Sequence, residues 1–487
     1  MGVCVRPVYA TLCPHFSLAH DTGSPPVFLI LLPIVHDVIN PPINAVEKER
    51  GGMRRPIGAS TKVAFVVAGV IAGIVLGELG YRLAGYSTPI KAHGLGPNPR
   101  FYFKADPVNG YDIAENFAGG FFDFPQYIRS NGAPFTVSSN SLGCRDRTYD
   151  HDDGYVLLLG DSFTWGYVPL EQTWGATLEQ LIGIRVLKCG VSGYGTRQER
   201  HKLEAVVARA GRPSFVVVGY TVLTDLLDDY LHPHWTVIDG YLTTKVGLAD
   251  ATPGGRRVVS DEEIRAKLRK ALEQKPASFS NSVKNALQEH SVLYNLLRQS
   301  RALRRFTFQL GLADPPKPEW RGLEVFSPIA GSPWLDQAWK EHLGNLLELK
   351  SAVEGLGATM LVVIFPPPEQ VYAFFRSQKG DLQWEYPNKR LTEFFQREHI
   401  AFLDLLPEFR CYASRKWRPM LHSQEDLYWP HDGHLNVRGN ALSGLLISRY
   451  VLEQPFLDVY DKTKRLSDIK QFLTAMADIS CSSSNIN

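Results

Sequence analysis

The chain has 487 residues, of which 44% are hydrophobic and 21% charged, with a formal net charge of +2. These are the proportions of a globular protein long enough for two to four structural units. The near-neutral charge excludes the strongly basic face that nucleic-acid binding needs.

In chain order, residues 1–52 mix Pro, His and Cys with a short apolar patch, Val27–Ile39, and follow neither helical nor strand periodicity. They read as a disordered or gene-model extension, with translation starting at Met53 ahead of Arg54 and Arg55. Val63–Gly77 is then uncharged for 15 residues, and extension to Leu83 adds only Glu78 and Arg82. A bilayer span needs about 20 apolar residues. The positive flank Arg54, Arg55 and Lys62 favours a cytoplasmic N-terminus. Residues 63–83 are therefore expected to form a single-pass signal-anchor, favoured over a cleaved signal peptide because no Ala-x-Ala site follows, with everything after it extracytoplasmic (periplasmic or extracellular). The alternative is a buried core helix.

Residues 85–150 are rich in Gly, Pro, Asn and aromatics and predict an irregular, β-rich lead-in. Five apolar runs follow, at Tyr155–Leu159, Arg185–Val191, Ser214–Tyr220, Ala358–Phe365 and Ala401–Leu405. Runs this short and this apolar suit strands buried on both faces. Helical patterns lie between them, at Glu171–Ile182, Thr196–Ala210, Gln337–Leu356, Asn388–Glu398 and Asn436–Leu452. The alternation predicts an α/β domain over residues 151–460 with a parallel sheet between helical layers. Such a sheet places its chemistry at the carboxyl ends of the strands. Residues 236–325 break the alternation and read as a helical insertion. Ser260-Asp-Glu-Glu263 is a capping box before a basic helix, Ile264–Glu273, and a second helix is expected over Asn281–Arg305. The insertion is either a solvated appendage or a lid or membrane-surface contact. Residues 461–487 form a C-terminal tail.

The six cysteines, at 4, 13, 144, 189, 411 and 481, contain no Cys-x-x-Cys pair, which argues against a structural zinc site. Cys189 sits in an apolar run and reads as a small buried hydrophobe. The spacing leaves a Cys144–Cys411 disulfide open.

Two motifs carry chemistry. Gly160-Asp-Ser-Phe-Thr-Trp-Gly166 follows the first strand directly, so Ser162 lies in a tight turn at that strand's carboxyl end. Its alternative role is a helix cap. A serine hydroxyl needs a base to become a nucleophile. His431-Asp-Gly-His-Leu-Asn436, before the last helix, supplies one. Asp432 lies two residues before His434 and can reach back to orient the imidazole and stabilise its protonated form. The alternative is a plain turn capped by Asn436. The His232-Pro-His234 pair lacks a supporting carboxylate cluster and is a weak metal candidate. His431 reads as a turn or rim residue, and Asp225, Asp228 and Asp229 as a solvated loop or helix start. Trp165 and Tyr194 either line a pocket or pack.

With these motifs in this order, the chain resembles the SGNH (GDSL-type) hydrolases over about 155–235 and 335–455. GDSFTWG matches the family's first block. VSGYGT places Gly193 at the glycine whose N–H donates to the oxyanion, and Asp432 and His434 match the last block. Asn140-Ser-Leu-Gly-Cys-Arg-Asp146 resembles the lead-in of membrane-anchored bacterial members. The resemblance implies a flavodoxin-like three-layer α/β/α sandwich. It further implies ester hydrolysis by Ser162, His434 and Asp432, with Ser162, Gly193 and Thr224 as oxyanion donors and no cofactor or metal. Thr224 stands where the family has an asparagine, and its hydroxyl donates from a shorter arm. The Asp-x-His spacing, in place of Asp-x-x-His, occurs in relatives acting on polysaccharide O-acetyl groups. The expected substrate is therefore a short acyl, acetyl-type ester, either a small molecule or a cell-envelope glycan. An O-acyltransferase with the same residues, and a catalytically weak glycan-binding or scaffold protein, are the alternatives. Nothing in the sequence sets an oligomeric state.

Overall fold

The computed structural model describes residues 59–84, 86, 88, 96–150, 154–231, 235–245, 259–273, 279–299, 321–327, 333–376, 382–413, 426–430 and 432–476. His431 and the His232–His234 pair lie outside them. The chain divides into two units, Met1–Ala68 and Gly69–Asn487. One continuous helix, Ala59–Leu83, begins in the first and ends in the second. Its Val63–Leu83 stretch has a mean hydropathy of 2.3, and none of its most apolar window is buried. The helix is long and apolar enough to cross a bilayer, and its exposure removes the reading of a buried core helix.

The second unit is built on a five-stranded sheet: β1 (Val156–Gly160), β2 (Val186–Lys188), β3 (Phe215–Thr221), β4 (Thr359–Phe365) and β5 (Ala401–Asp404). All pairs are parallel and the order is β5-β4-β3-β1-β2. From the β2 edge this reads 2-1-3-4-5, the flavodoxin-like order, in which β1 and β3 flank the reversal point. Side chains alternate between faces with period two. Leu157, Leu159, Val216, Val218, Val362 and Ile364 enter one apolar layer with Leu203, Leu226, Leu346 and Leu349. Val156, Leu158, Phe215, Val217, Leu361 and Val363 enter the other with Trp174, Leu178, Leu442 and Ile447. Two covered faces explain why these strands are apolar throughout and why the sandwich has three layers.

The helices Thr196–Ala210, Trp174–Ile182, Pro333–Gly355, Tyr386–Arg397 and Val437–Glu453 stand where the pattern places them. Asn436 starts the last of these, its side chain accepting from Gly439 N–H at 2.9 Å. Thr224–Leu231 is a helix, the helix start that was one reading of its acidic cluster, and Lys462–Met476 is a further helix within the stretch read as a C-terminal tail. The single helix expected over Asn281–Arg305 is instead two, Phe279–His290 and Val292–Gln299, and residues 300–305 lie outside the described set. Glu78 causes the break. Its carboxylate accepts from Val292 N–H and Leu293 N–H at 2.9 Å and from Ser291 Oγ at 3.0 Å, capping a new helix. Arg82 binds both Glu78 and the His290 carbonyl. The insertion is thereby fixed to the last turns of the apolar helix.

The lead-in is two antiparallel hairpins, Phe103–Asp106 with Gly110–Ile113 and Gly120–Phe122 with Phe135–Val137. Their aromatic core takes in Trp165 and Trp429 from the sandwich. A disulfide joins Cys144 to Cys189. This corrects the reading of Cys189 as a plain buried hydrophobe and the open Cys144–Cys411 pairing. Cys189 follows β2 directly, where its thiol meets the lead-in rather than only apolar neighbours.

Of the two readings of the acidic cluster, solvated loop or helix start, the fold shows the helix, but its acids are not all solvated. Asp225 and Asp229 are buried on the helix Thr224–Leu231, close to buried Glu199, Tyr220 and His342. Asp229 pairs with His342 Nδ1 at 2.6 Å. Among the described residues neither oxygen of Glu199 has a hydrogen-bond partner, and neither does Asp225 Oδ1. Burial first, then neighbouring carboxylates, push the Glu199 and Asp225 carboxyls well above their usual range. An acid whose folded form holds its proton more tightly contributes stability below its ordinary range and loses it as pH rises. Glu199→Gln is therefore expected to flatten the fall in Tm between pH 5 and pH 9. The difference should be on the order of 2–4 °C per kcal/mol relieved. Parallel Tm curves for the two proteins would sink the argument.

Candidate active site

β1 delivers its chain into a turn that the sheet itself shapes. Gly160 adopts φ +141°, and a Cβ there would lie 2.1 Å from Thr164 Oγ1. One on Gly219 of β3 would meet the same atom at the same distance. The short helix Ser162–Trp165 can therefore sit down on the strand ends only because both positions lack side chains. Ser162 is recessed, 8% exposed, at the first position of that helix.

Asp161 is fully buried and holds the turn. Its Oδ1 accepts from Phe163 N–H at 2.8 Å and from Thr221 Oγ1 at 3.1 Å, and its Oδ2 accepts from Thr224 Oγ1 at 2.8 Å. Burial, the largest influence, raises its carboxyl against these bonds. Thr224 thus directs its hydroxyl proton at Asp161. A threonine arm is too short to pass this acceptor by, as the longer asparagine amide could.

Gly193 adopts φ +83°, and a Cβ there would approach Tyr111 Oη to 2.9 Å. Tyr111 Oη in turn donates to the Ser192 carbonyl at 2.6 Å. The lead-in hairpin thereby fixes the loop that presents the Gly193 amide. Trp165 and Tyr194 turn out to pack: both are buried, with Trp165 Nε1 donating to Tyr102 Oη at 2.9 Å and Tyr194 Oη to the Tyr111 carbonyl at 2.6 Å.

The loop Asp432–Asn436 brings His434 to the same end of the sheet. Its Nδ1 pairs closely with Asp432 Oδ1, and its backbone N–H donates to that oxygen at 3.1 Å. Burial alone would lower the imidazole's affinity for a proton. Asp432, with a smaller contribution from Asp161, outweighs it and raises His434 above its ordinary value. Burial likewise opposes ionisation of Asp432, and the His434 charge and bonds overcome it, holding that carboxyl low. The His434 ring lies 5.6 Å from the Phe163 ring, beside Ser162. Its face stacks on Tyr167, at 3.8 Å between centroids and 11° between planes. Among the described residues no hydrogen bond joins Ser162 Oγ to His434, a gap common in unliganded sites. The described residues contain no group of His, Cys, Asp or Glu able to hold a metal ion.

Sequence reasoning missed the Asp161 bridges, Tyr167, and Arg145, which grips the segment after Ser162. Tyr167 had a signal, an aromatic directly after the GDSFTWG block. Arg145 had one too, a lone arginine in the lead-in NSLGCRD.

No family model matches the chain and no curated protein matches it. Solved structures do. A protein assigned to the lipolytic G-D-S-L family from Desulfitobacterium hafniense is 14% identical, with a TM-score of 0.28, over 61% of this chain and 99% of that one. A GDSL-like lipase from Bacteroides thetaiotaomicron is 11% identical, with a TM-score of 0.27, over 63% and 92%. An acetylxylan esterase from Geobacillus stearothermophilus, solved as a catalytic mutant, is 11% identical, with a TM-score of 0.28, over 64% and 99%. At these values the likeness assigns no residue its role and no substrate.

Proposed function

We propose that the chain is an SGNH-type serine ester hydrolase, anchored by Val63–Leu83 with its catalytic body outside the cytoplasm. The observation that carries this is the convergence of Ser162, His434 and the Gly193 loop at the carboxyl ends of β1, β2 and β3. Ser162 attacks an ester carbonyl while His434 Nε2 takes its proton. Asp432 holds Nδ1 and stabilises the imidazolium. The Ser162 and Gly193 amides receive the oxyanion. His434 then returns the proton to the leaving alcohol, and water releases the acyl group by the reverse route. Thr224 acts through Asp161, as a brace of the nucleophile turn, instead of donating to the oxyanion. The substrate we favour is an acetyl-type ester on a cell-envelope glycan, on the strength of the Asp-x-His spacing and the anchor. The Cys144–Cys189 disulfide supports an oxidising compartment.

The test is hydrolysis of a short acetyl ester by the detergent-solubilised chain, with labelling by a serine-reactive phosphonate. Both should vanish in Ser162→Ala. Labelling without turnover would instead indicate transfer to a sugar hydroxyl. Folded protein that shows neither would support a binding protein. The base must be neutral to act, and His434 holds its proton above the ordinary value near 6.5. Activity should therefore rise with pH through a midpoint above that value. A midpoint below 6 would contradict the Asp432–His434 pairing.

A further inference from the structure

The stack of Tyr167 on His434 is built from several directions. Trp429 donates its indole N–H to the Tyr167 carbonyl at 3.2 Å and its backbone N–H to the His434 carbonyl at 2.8 Å. One residue thus clamps both backbones. Phe122, Phe124 and Trp165 lie edge-on to the Tyr167 ring, with centroids 5.0–5.5 Å away, so the ring has little freedom to leave the imidazole. At its far end the Tyr167 hydroxyl lies 3.3 Å from Ser192 Oγ, one residue before Gly193. Ser192 is held in turn by Tyr111.

We propose that Tyr167 is a positioning residue for His434, which stabilises the imidazolium through its ring face and couples the base to the oxyanion loop through its hydroxyl. The proposal rests on the esterase reading for its purpose, but not for its measurement. An aromatic face attracts a cation set over it, most strongly where water is excluded. The imidazolium appears twice in each ester cycle, so the stack favours the charged steps. It also limits rotation of the ring, directing Nε2 at the turn that carries Ser162. The charged groups that act on His434 are Asp432, from its own loop, and Asp161, from the nucleophile turn. Tyr167 adds no charge to these, so its ring and its hydroxyl can be separated by substitution.

The experiment is ethoxycarbonylation of His434 by diethylpyrocarbonate, which reacts with the neutral imidazole. It is followed against pH on the His434 peptide by mass spectrometry, using the full chain in detergent. Tyr167→Leu should move the midpoint down by about half to one pH unit, equivalent to a three- to tenfold weaker hold on the proton. Tyr167→Phe should leave it in place. In ester hydrolysis Tyr167→Phe should lower kcat several-fold with KM unchanged, and Ser192→Ala should do the same. If Tyr167→Leu fails to fold, by circular dichroism, Tyr167→Met replaces the ring at similar volume and should give the same downward shift. An unmoved midpoint in a folded ring-less variant overturns the proposal, as does an equal shift in Tyr167→Phe. Neither result depends on ester turnover, so failure of the esterase reading would be seen separately, as absent hydrolysis and labelling in the unmodified chain.

Discussion

His434→Ala should lower kcat for ester hydrolysis by about 10⁴- to 10⁶-fold with KM little changed, the scale on which a serine nucleophile loses its base. The loss should not add to that of Ser162→Ala, because a nucleophile without its base and a base without its nucleophile fail at the same step. Asp432→Asn should cost less, on the order of 10⁴-fold, because it keeps the shape of the loop but favours the wrong tautomer at Nδ1. The structure narrows this second expectation. Asp432 Oδ1 also accepts from the His434 backbone N–H, so an asparagine oxygen can keep the loop folded while failing the ring. Measuring kcat and KM for the single and double variants checks both statements. Additive losses from Ser162→Ala and His434→Ala would mean that the two residues do not act on one proton.

The parts of the fold legible in sequence were those fixed by burial on both faces of a sheet. A run such as Val156–Gly160 must be apolar throughout when helices cover both sides, and that pattern is local. The turns that carry Ser162 and the Asp432–His434 contact were legible for a related reason, since the glycines and acids of each stand within a few residues. What stayed hidden depends on partners far along the chain. Cys189 finds Cys144, 45 positions away, and Tyr167 finds His434 only after the last loop folds back over β1. Sequence shows the position of Thr224 but not the Asp161 carboxylate to which its hydroxyl donates. The acids Asp225 and Asp229 were legible as a helix start but not as buried, because composition does not show that one turn of Thr224–Leu231 faces inward.

Arg145→Ala should destabilise the catalytic unit by about 3–5 kcal/mol, because it removes a buried donor from three backbone carbonyls. The Arg145 guanidinium is 2% exposed. It donates to the carbonyls of Trp165 and Gly166 at 2.6 and 2.5 Å and to that of Val168 at 2.6 Å. Its Cζ lies over the Trp165 ring, 4.0 Å from the ring centre. Burial lowers its pKa to about 10, partly offset by Tyr102 and Glu171, so the group remains charged at neutral pH. Truncation would leave three carbonyls without this donor beneath the segment that carries Tyr167. Each hydrogen bond to a charged group contributes about 1.5–3 kcal/mol. The entropy of fixing a long side chain offsets part of that sum. Arg145→Lys should recover little, because an ammonium is a point donor and cannot span three carbonyls as the planar fork does. The check is the urea midpoint at constant m-value, together with kcat at a temperature where the variant is folded. Because the Trp165–Val168 turn also sets the Tyr167 stack, kcat should fall even in the folded variant. A variant that lost less than about 1 kcal/mol and kept full kcat would show that the sandwich alone shapes the nucleophile turn, and that the lead-in is only its cover.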